Sequence, residues 1–580
     1  MKYRLRPNAP SKDAATCIQD ILRQRGVEKI EAYLFPNERY EHDPYLLDNV
    51  QEAAERLLWH CRNGSSILFC VDADCDGQCS AAILYLYIKD FFSDLDIKYI
   101  CHEHKAHGLE DIIEDVENAG FDLVILPDSG SADSEYYKRL KEVGTDCITI
   151  DHHPAENYPT DTICVNNQLS EKYPNKTLCG AGVVYKFCQV LDKILTPENP
   201  RAPYYLDLVA LAEVADCMSP SEPETRYYIT EGLKLNNIHN KFFQALIEEQ
   251  SFSLFKVSHD LNYIKIAFYI APLINAMVRV GTMEEKREMF LAFVEPDTQV
   301  SSTKRGAKGE IVGICEEVSR LAANAKARQN RVKDKATELL DARIHKEGLL
   351  DNKILIVEVQ DKDDIPQELR GLIAAQFTNR YHRPTMIGKV GEEGYLRGSL
   401  RGSESFAEVP DFKAFLAESG YMDYIAGHAN AAGYSIKKDL VSQLIQYANT
   451  HISDAGLDNV YDVDYIFSAE EDFKELGLIL ASNESCWGNE IKEPTIIVEK
   501  IPFRRANVML MGANKDSVKI SYKGVDYVRF KDSDFAQLIS SMQVGEITVL
   551  ARYNKNVYAG KTTLQCFIDD YEIIDTMFEF

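Results

Sequence analysis

The chain has 580 residues, and 64 Lys+Arg against 91 Asp+Glu leave a formal net charge of −27. Apolar residues at 45% and charged residues at 27% are ordinary for globular proteins and exclude a collagen, a disordered tail and a disulfide-dense miniprotein. The length calls for three or four domains at about 150 residues each, and the acidity excludes a coat for duplex DNA or anionic membrane, though not a single basic groove.

The first residues, Met1 to Pro7, carry positive charge with no apolar stretch behind them, so no signal peptide is expected. No window approaches the roughly 18 apolar residues of a membrane span. The 14 Cys are scattered singly and are expected as reduced core thiols of a cytoplasmic protein.

Residues 1–60 read as mostly helical, with Leu46, Leu47, Val50, Ala53, Ala54 and Leu57 at helical spacing. An apolar strand at 66–71 then runs into a cluster of acids and a glycine, and a helix is expected from Ala81 to Phe92. Strand followed by acid recurs at Leu123–Pro127 and at 147–150. This rhythm predicts βαβ units around a parallel sheet, with ligands beyond the carboxyl ends of its strands. A long helix is expected from Ile314 to about His345. Within it Arg320, Lys326, Arg328, Arg331, Lys333 and Lys335 are opposed between 318 and 335 only by Asp334, which suits a solvated connecting helix as well as a basic track. A second α/β unit begins near Lys353 and ends around Thr450. Short strands at 495–499, 517–522, 527–530 and 546–552, with Gly512, Gly524 and Gly560 at turns, then predict a small β-barrel or sandwich.

The sharpest local signal is Asp72, Asp74 and Asp76 before Gly77, three alternating acids directly after a buried strand. Like charges so close raise one another's pKa unless cations neutralise them. An EF-hand is excluded because the later bidentate Glu is missing. Asp128-Ser129-Gly130 and Asp151-His152-His153 end the next two strands, and the apolar stretch from Asp207 through Glu213 delivers Asp216. Oxygen-rich sites with a little imidazole favour Mg²⁺ or Mn²⁺. Two such ions would need a bridging carboxylate and would activate water for in-line attack on phosphorus.

In this order the motifs resemble the DHH phosphoesterase superfamily and, downstream, its RecJ branch of single-stranded-DNA-specific exonucleases. Leu46 to Val50 after His42-Asp43-Pro44, Gly180-Ala181-Gly182-Val183, the run from Pro272 through Asn275 and Arg279 to Gly281, Arg397-Gly398-Ser399 with Arg401, Gly427-His428 through Gly433, and Cys486 to Glu490 are each similar to a RecJ segment. The similarity spans nearly the whole chain. Three positions depart from the pattern: Cys70 stands where related DHH pyrophosphatases have His, Ala426 where RecJ often has Gly, and Met277-Val278 where the family prefers Ala-Gly. A zinc site at Cys70, Cys75 and Cys79 fits no standard spacing.

The resemblance implies an α/β protein: a parallel-sheet DHH domain joined by a long helix to a smaller α/β DHHA1 domain, with a C-terminal OB-like β-barrel. The implied boundaries are an N-terminal helical segment at 1–60, the DHH core at 61–235, its connecting part at 236–314, the linker helix at 315–348, DHHA1 at 349–455 and the OB-like domain at 456–580. It implies two Mn²⁺ or Mg²⁺ ions held by Asp74, Asp76, Asp128, His152 and Asp216, with Asp128 bridging and with Asp72, Asp151 and His153 orienting ligands or water. Asn275, Arg279, Ser399, Arg401, Gly427 and His428 would grip the phosphate beside the scissile bond. The implied activity is 5′ to 3′ digestion of single-stranded DNA to mononucleotides in repair or recombination, by a monomer with RNA as a further substrate and replication or repair proteins as partners. The alternatives are an oligoribonuclease or cyclic-dinucleotide phosphodiesterase, which generally lack the C-terminal barrel, and a non-catalytic replication scaffold, which loses the metal ligands. At 490–531, nine basic residues against five acidic, with Tyr522, Tyr527 and Phe530, suit a single-strand track.

Overall fold

The computed structural model describes residues 1–103, 106–256, 258–457, 460–558 and 560–574. A short strand, β1 (Lys2–Leu5), precedes several helical turns and the helix Val50–Asn63, which packs on a five-stranded parallel sheet. That sheet holds β2 (Ile67–Val71), β3 (Ile97–Cys101), β4 (Leu123–Pro127), β5 (Asp146–Asp151) and β6 (Ile163–Asn166) in the order β3-β2-β4-β5-β6. β2 and β4 are buried at every position, as their unbroken apolar runs require. The chain steps outward from β2 to β3 and then crosses back to β4. The strand order therefore reverses between β2 and β4, and their carboxyl ends border the crevice where such sheets bind ligands.

The helix after β2 begins at Cys75, earlier than the Ala81 read from sequence, because the Asp74 side chain caps it by accepting from the Gly77 amide at 3.0 Å. Asp74 and Asp76 thus occupy the helix cap and first turn, while Asp72 lies in the link from β2.

A helical run from Tyr263 to Val280 has a mean hydropathy of 1.3 over 18 residues, long and apolar enough to cross a membrane by length and composition. This overturns the expectation that no window comes close. The run is 56% buried within the fold, against the helices Leu206–Ala215 and Ile314–Lys346, so a core position accounts for its apolarity.

A hairpin, β7 (Gln299–Ser301) and β8 (Ile311–Gly313), leads into the 33-residue helix Ile314–Lys346, about 50 Å long. Its first turns bury Ile314, Val318, Ala322 and Ala325 in the first core, and its last turns bury Ala336, Leu340 and Ile344 in the second. The second unit is a five-stranded sheet of β9 (Leu355–Val359), β10 (Thr385–Val390), β11 (Tyr395–Arg401), β12 (Met422–His428) and β13 (Ala431–Lys437), ordered β12-β13-β11-β10-β9 with only β9 and β10 parallel.

The C-terminal unit contains β14 (Val460–Val463), β15 (Tyr465–Ser468), β16 (Thr495–Arg504), β17 (Val508–Met511), β18 (Ser517–Tyr522), β19 (Val525–Arg529), β20 (Val544–Tyr558) and β21 (Lys561–Ile574). Seven of these strands form one sheet in the order β15-β16-β20-β21-β19-β18-β17, and only a short turn separates β16 from β17 along the chain. A helix, Ser533–Ser541, connects β19 to β20. β14 pairs in parallel with β1, and Cys17, Ile21, Leu22, Val27 and Tyr33 belong to the C-terminal core. The segment 1–60 is therefore divided between two cores, its later part (Leu47, Val50, Ala54, Leu57) lying in the first.

Candidate metal centre and substrate cleft

Three neighbouring strands deliver the acids. β2 ends in Asp72 and the capped helix carrying Asp74 and Asp76, β4 ends in Asp128, and β5 ends in Asp151 before His152. The helix Leu206–Ala215 brings Asp216 to the same place as its C-cap. His152 Nε2 lies 3.3 Å from Asp128 Oδ1, 3.6 Å from Asp216 Oδ2 and 3.7 Å from Asp76 Oδ2. Asp76, His152 and Asp216 form one group able to hold a cation, and Asp128, His152 and His153 form a second that shares His152.

Asp76 is fixed by the N-terminus of the helix Gly180–Leu195, whose Gly180 and Ala181 amides donate to it at 2.7 and 2.8 Å. Gly180 has no room for a side chain, since a Cβ there would sit 2.3 Å from Asp128 Oδ1.

Asp128 is nearly inaccessible and adopts a left-handed backbone with φ 69°. Its Oδ1 makes no hydrogen bond among the described residues, and neither does Asp72 Oδ1. Burial, then Asp76, Asp74, Asp72 and Asp151, push the Asp128 pKa well above the carboxylate range. Two orphaned buried carboxylate oxygens in a crowd of acids are what a divalent cation would satisfy, so the residues fit the expected ions. Burial lowers the pKa of His152 and keeps the imidazole neutral, the form that ligates.

Asp151 holds both histidines, and His153 also belongs to the second cation-holding group. Asp151 Oδ1 accepts from the His152 amide (2.7 Å), the His153 amide (3.1 Å) and His153 Nδ1 (2.8 Å), and Oδ2 accepts from the Ser131 amide. Burial opposes ionisation, yet the bonds from His153 and Ser131 with the nearby His152 hold Asp151 below the usual carboxylate range, and Asp151 in turn holds His153 at about 9 despite its burial.

One residue absent from the sequence reading belongs here. His107, in the loop after β3, places Nδ1 2.5 Å from Asp72 Oδ2, and Asp72, Asp74 and His107 form a third group with cation-holding geometry. The bond to Asp72 raises its pKa. Its position beyond a strand end was the available signal. Among the described residues no cysteine joins any of the three groups.

The phosphate-gripping candidates come from both α/β units. Arg279, at the end of the helix Ala271–Val280, feels Asp74, while Arg401 and Lys326 each feel Arg279. All three are desolvated, which lowers their pKa values, and none forms an ion pair among the described residues. Crowded cations of this kind want an anion between them. Arg401 lies over Gly371, where a Cβ would meet its Nη2 at 2.7 Å. Arg401, Ala431 and His428 face one another across three adjacent strands, and Ser399 precedes Arg401 by one pleat, so Ser399, Arg401 and His428 share a sheet face. Gly427 sits at φ +125°, with the Ala431 carbonyl 2.8 Å from where a Cβ would be. Asn275 is half-buried on the Arg279 helix.

Four of the nine basic residues at 490–531 are neutralised: Lys492, Lys519, Lys523 and Arg529 pair with Glu404, Asp526, Glu470 and Asp532. Of its aromatics, Tyr527 is core, Tyr522 bonds Glu470, and Phe530 is exposed. On the linker helix, Arg320 pairs with Glu317 and Arg328 with Glu285, leaving Arg331 and Lys335 on the exposed side.

Residues 66–212 match the DHH family, N-terminal domain. YorK of Bacillus subtilis, assigned as an SPbeta prophage-derived single-strand DNA-specific exonuclease, is 35% identical over 566 residues, 96% of each chain. The single-stranded-DNA-specific exonuclease RecJ of the same organism is 24% identical over 95% of this chain and 67% of its own. RecJ of Thermus thermophilus in complex with Mn²⁺ shares the fold with a TM-score of 0.69 at 18% identity, over 98% of this chain and 80% of that one. Its Mg²⁺ complex aligns with a TM-score of 0.64.

Proposed function

Because the chain belongs to the RecJ-like single-strand-DNA-specific exonucleases of the DHH family, we propose that it is a metal-dependent nuclease digesting single-stranded DNA from the 5′ end to mononucleotides. The observation that carries this reading is the cluster of Asp76, Asp128, His152 and Asp216 at the point where the strand order reverses, with the orphaned Asp128 oxygen at its centre.

Asp74, Asp76, Asp128, His152 and Asp216 would hold two Mn²⁺ or Mg²⁺ ions. Divalent cations bound there would supply Lewis acidity toward the phosphoryl group and a hydroxide nucleophile near neutral pH. The chain's own residues do the rest. Asp151 sets both histidines through the bonds described above, and His153, charged below about pH 9, places a proton donor beside the centre. Arg279, Arg401 and His428 receive the phosphate, and Asn275 and Ser399 orient it. The long helix fixes the distance between the phosphate grip and the acids. The C-terminal unit we read as an OB-like track for the strand leaving this cleft. A full set of acids argues for an active enzyme over a scaffold.

End-labelled digestion tests the reading. With Mn²⁺, a 5′-labelled single strand should release labelled mononucleotide at once and a 3′-labelled one only late; the reverse order rejects the polarity alone. Asp128→Asn should lose at least about a thousandfold in rate and should no longer gain thermal stability on Mn²⁺ addition. Retained activity in that variant would reject the metal centre.

A further inference from the structure

The helix that carries Asn275 and Arg279 does not begin as an ordinary helix. Residues Ile266–Ile270 form a π-helical turn, closed by the Ala271 amide donating to the Ile266 carbonyl five residues back. Pro272 explains the widening: it has no amide to donate to the Phe268 carbonyl, and its ring would press on that carbonyl in a regular turn. The turn buries Ile266 and Ile270 completely and leaves Phe268 69% and Tyr269 40% exposed.

These rings are not scattered surface residues. On the helix that follows, Pro272, Asn275, Arg279 and Val280 are the positions with partial exposure. Pro272, Asn275 and Arg279 recur at helical spacing, and counting back through the wider turn from Pro272 reaches Phe268. One stripe therefore runs from Arg279, beside Asp74 and Arg401, to Phe268, about 16 Å away along the helix. The far end is anchored to the C-terminal unit. Asn262, whose side chain caps this run at Lys265, donates to Glu484 at 3.0 Å, and Tyr263 packs on Gly488. Phe268 thus stands between the metal centre and the C-terminal barrel, at the end of a stripe whose other members face the anion cleft.

We propose that Phe268, with Tyr269 beside it, is a base-stacking platform for the single strand a few nucleotides from the cleaved bond, and that the π-helical turn exists to present it. This rests on the nuclease reading above. A ring next to a line of phosphate-binding groups stacks any base, which suits digestion without sequence preference.

Two measurements on the full chain test this. The first is the ratio of kcat/KM for a 20-nucleotide strand to that for a 5′-phosphorylated dinucleotide, which is too short to reach the platform. Phe268→Ala should lower that ratio about tenfold or more, Phe268→Trp should restore it, and Phe268→Leu should not. The second works without cleavage. In EDTA, a strand carrying 2-aminopurine at successive positions should show quenching at one position near its bound end, and Phe268→Ala should abolish it. An unmoved ratio, rescue by Leu as well as Trp, or quenching indifferent to the variant overturns the platform and points to a protein-binding patch instead. A wild type that cuts neither substrate overturns the nuclease reading, and the quenching still decides the platform.

Discussion

Asp128 shows how one backbone conformation supports the whole centre. At a φ of 69° it sets its carboxylate directly against Gly180. Non-glycine residues reach this region at a cost, and Asp and Asn reach it most readily, which is why Asn is the informative replacement. Gly180 is the matching constraint. A methyl at Gly180 would collide with Asp128 Oδ1 and lift two amides away from Asp76, so Gly180→Ala should lower kcat/KM at least about a hundredfold while the circular dichroism spectrum stays that of the wild type. Normal rates in that variant would mean that the approach of this helix to the acids is unimportant. At this scale much of the site was legible: Asp72, Asp74, Asp76, Asp128 and Asp151 directly follow apolar strands, so motif and strand end are local to each other. His107 was not. Its strand, β3, is an edge strand carrying Lys98 and only part-buried, so it gives no unbroken apolar run, and the bond to Asp72 spans residues far apart in sequence.

Helix Ile314–Lys346 was readable end to end because no Gly or Pro interrupts it. Its anchoring was not readable. Glu317, in the first turn, accepts from the Thr303 amide and hydroxyl at 2.7 Å and from the Ser302 hydroxyl at 3.1 Å, and pairs with Arg320, tying the β7–β8 hairpin to the helix. Burial opposes its charge, but Arg320 and the Thr303 and Ser302 donors hold its pKa at about 2, below its ordinary 4.5. A depressed carboxylate contributes stability that is present above its unfolded pKa and is lost as pH falls toward the folded one. Thermal denaturation should therefore show the wild type losing stability between about pH 5 and 2, while Glu317→Gln starts about 2 kcal/mol lower at pH 7 and loses less over that window. Parallel pH curves for the two proteins would remove Glu317 from this role. The π-helical turn before Pro272 and the short strand β17 went unread for a common reason. Neither is long enough to leave a periodic trace.

Sequence order conceals how the whole chain closes. β1 pairs with β14, the Tyr33 hydroxyl donates to the Cys486 carbonyl at 2.6 Å, and Arg226 from the first unit donates to the carbonyls of both Tyr33 and Ser485. The N-terminal residues are thus a strap between the catalytic core and the C-terminal unit, and no local pattern in 1–34 announces a partner beyond 460. The charge of −27 is reconciled at the same scale. Several acids gather at the candidate metal centre, and Arg279, Lys326 and Arg401, which form no ion pair among the described residues, gather beside them, so positive charge is concentrated locally in a chain that is acidic as a whole. The strap's strongest link is Arg25, which donates to both oxygens of Asp464 at 2.8 and 2.9 Å with both side chains buried. Removing Arg25 leaves buried Asp464 with Arg6 at 3.8 Å and the Thr495 amide at 2.7 Å, so the loss approaches, without reaching, the roughly 3–5 kcal/mol of a fully stranded buried charge. Arg25→Met should therefore melt the C-terminal unit ahead of the catalytic core, visible as a split transition in calorimetry. Digestion of long single strands should fall with that first transition while the dinucleotide is still hydrolysed, since the acids and the phosphate grip stand on the other units. A single shared transition, with both activities lost together, would show instead that the strap and the catalytic core fold as one.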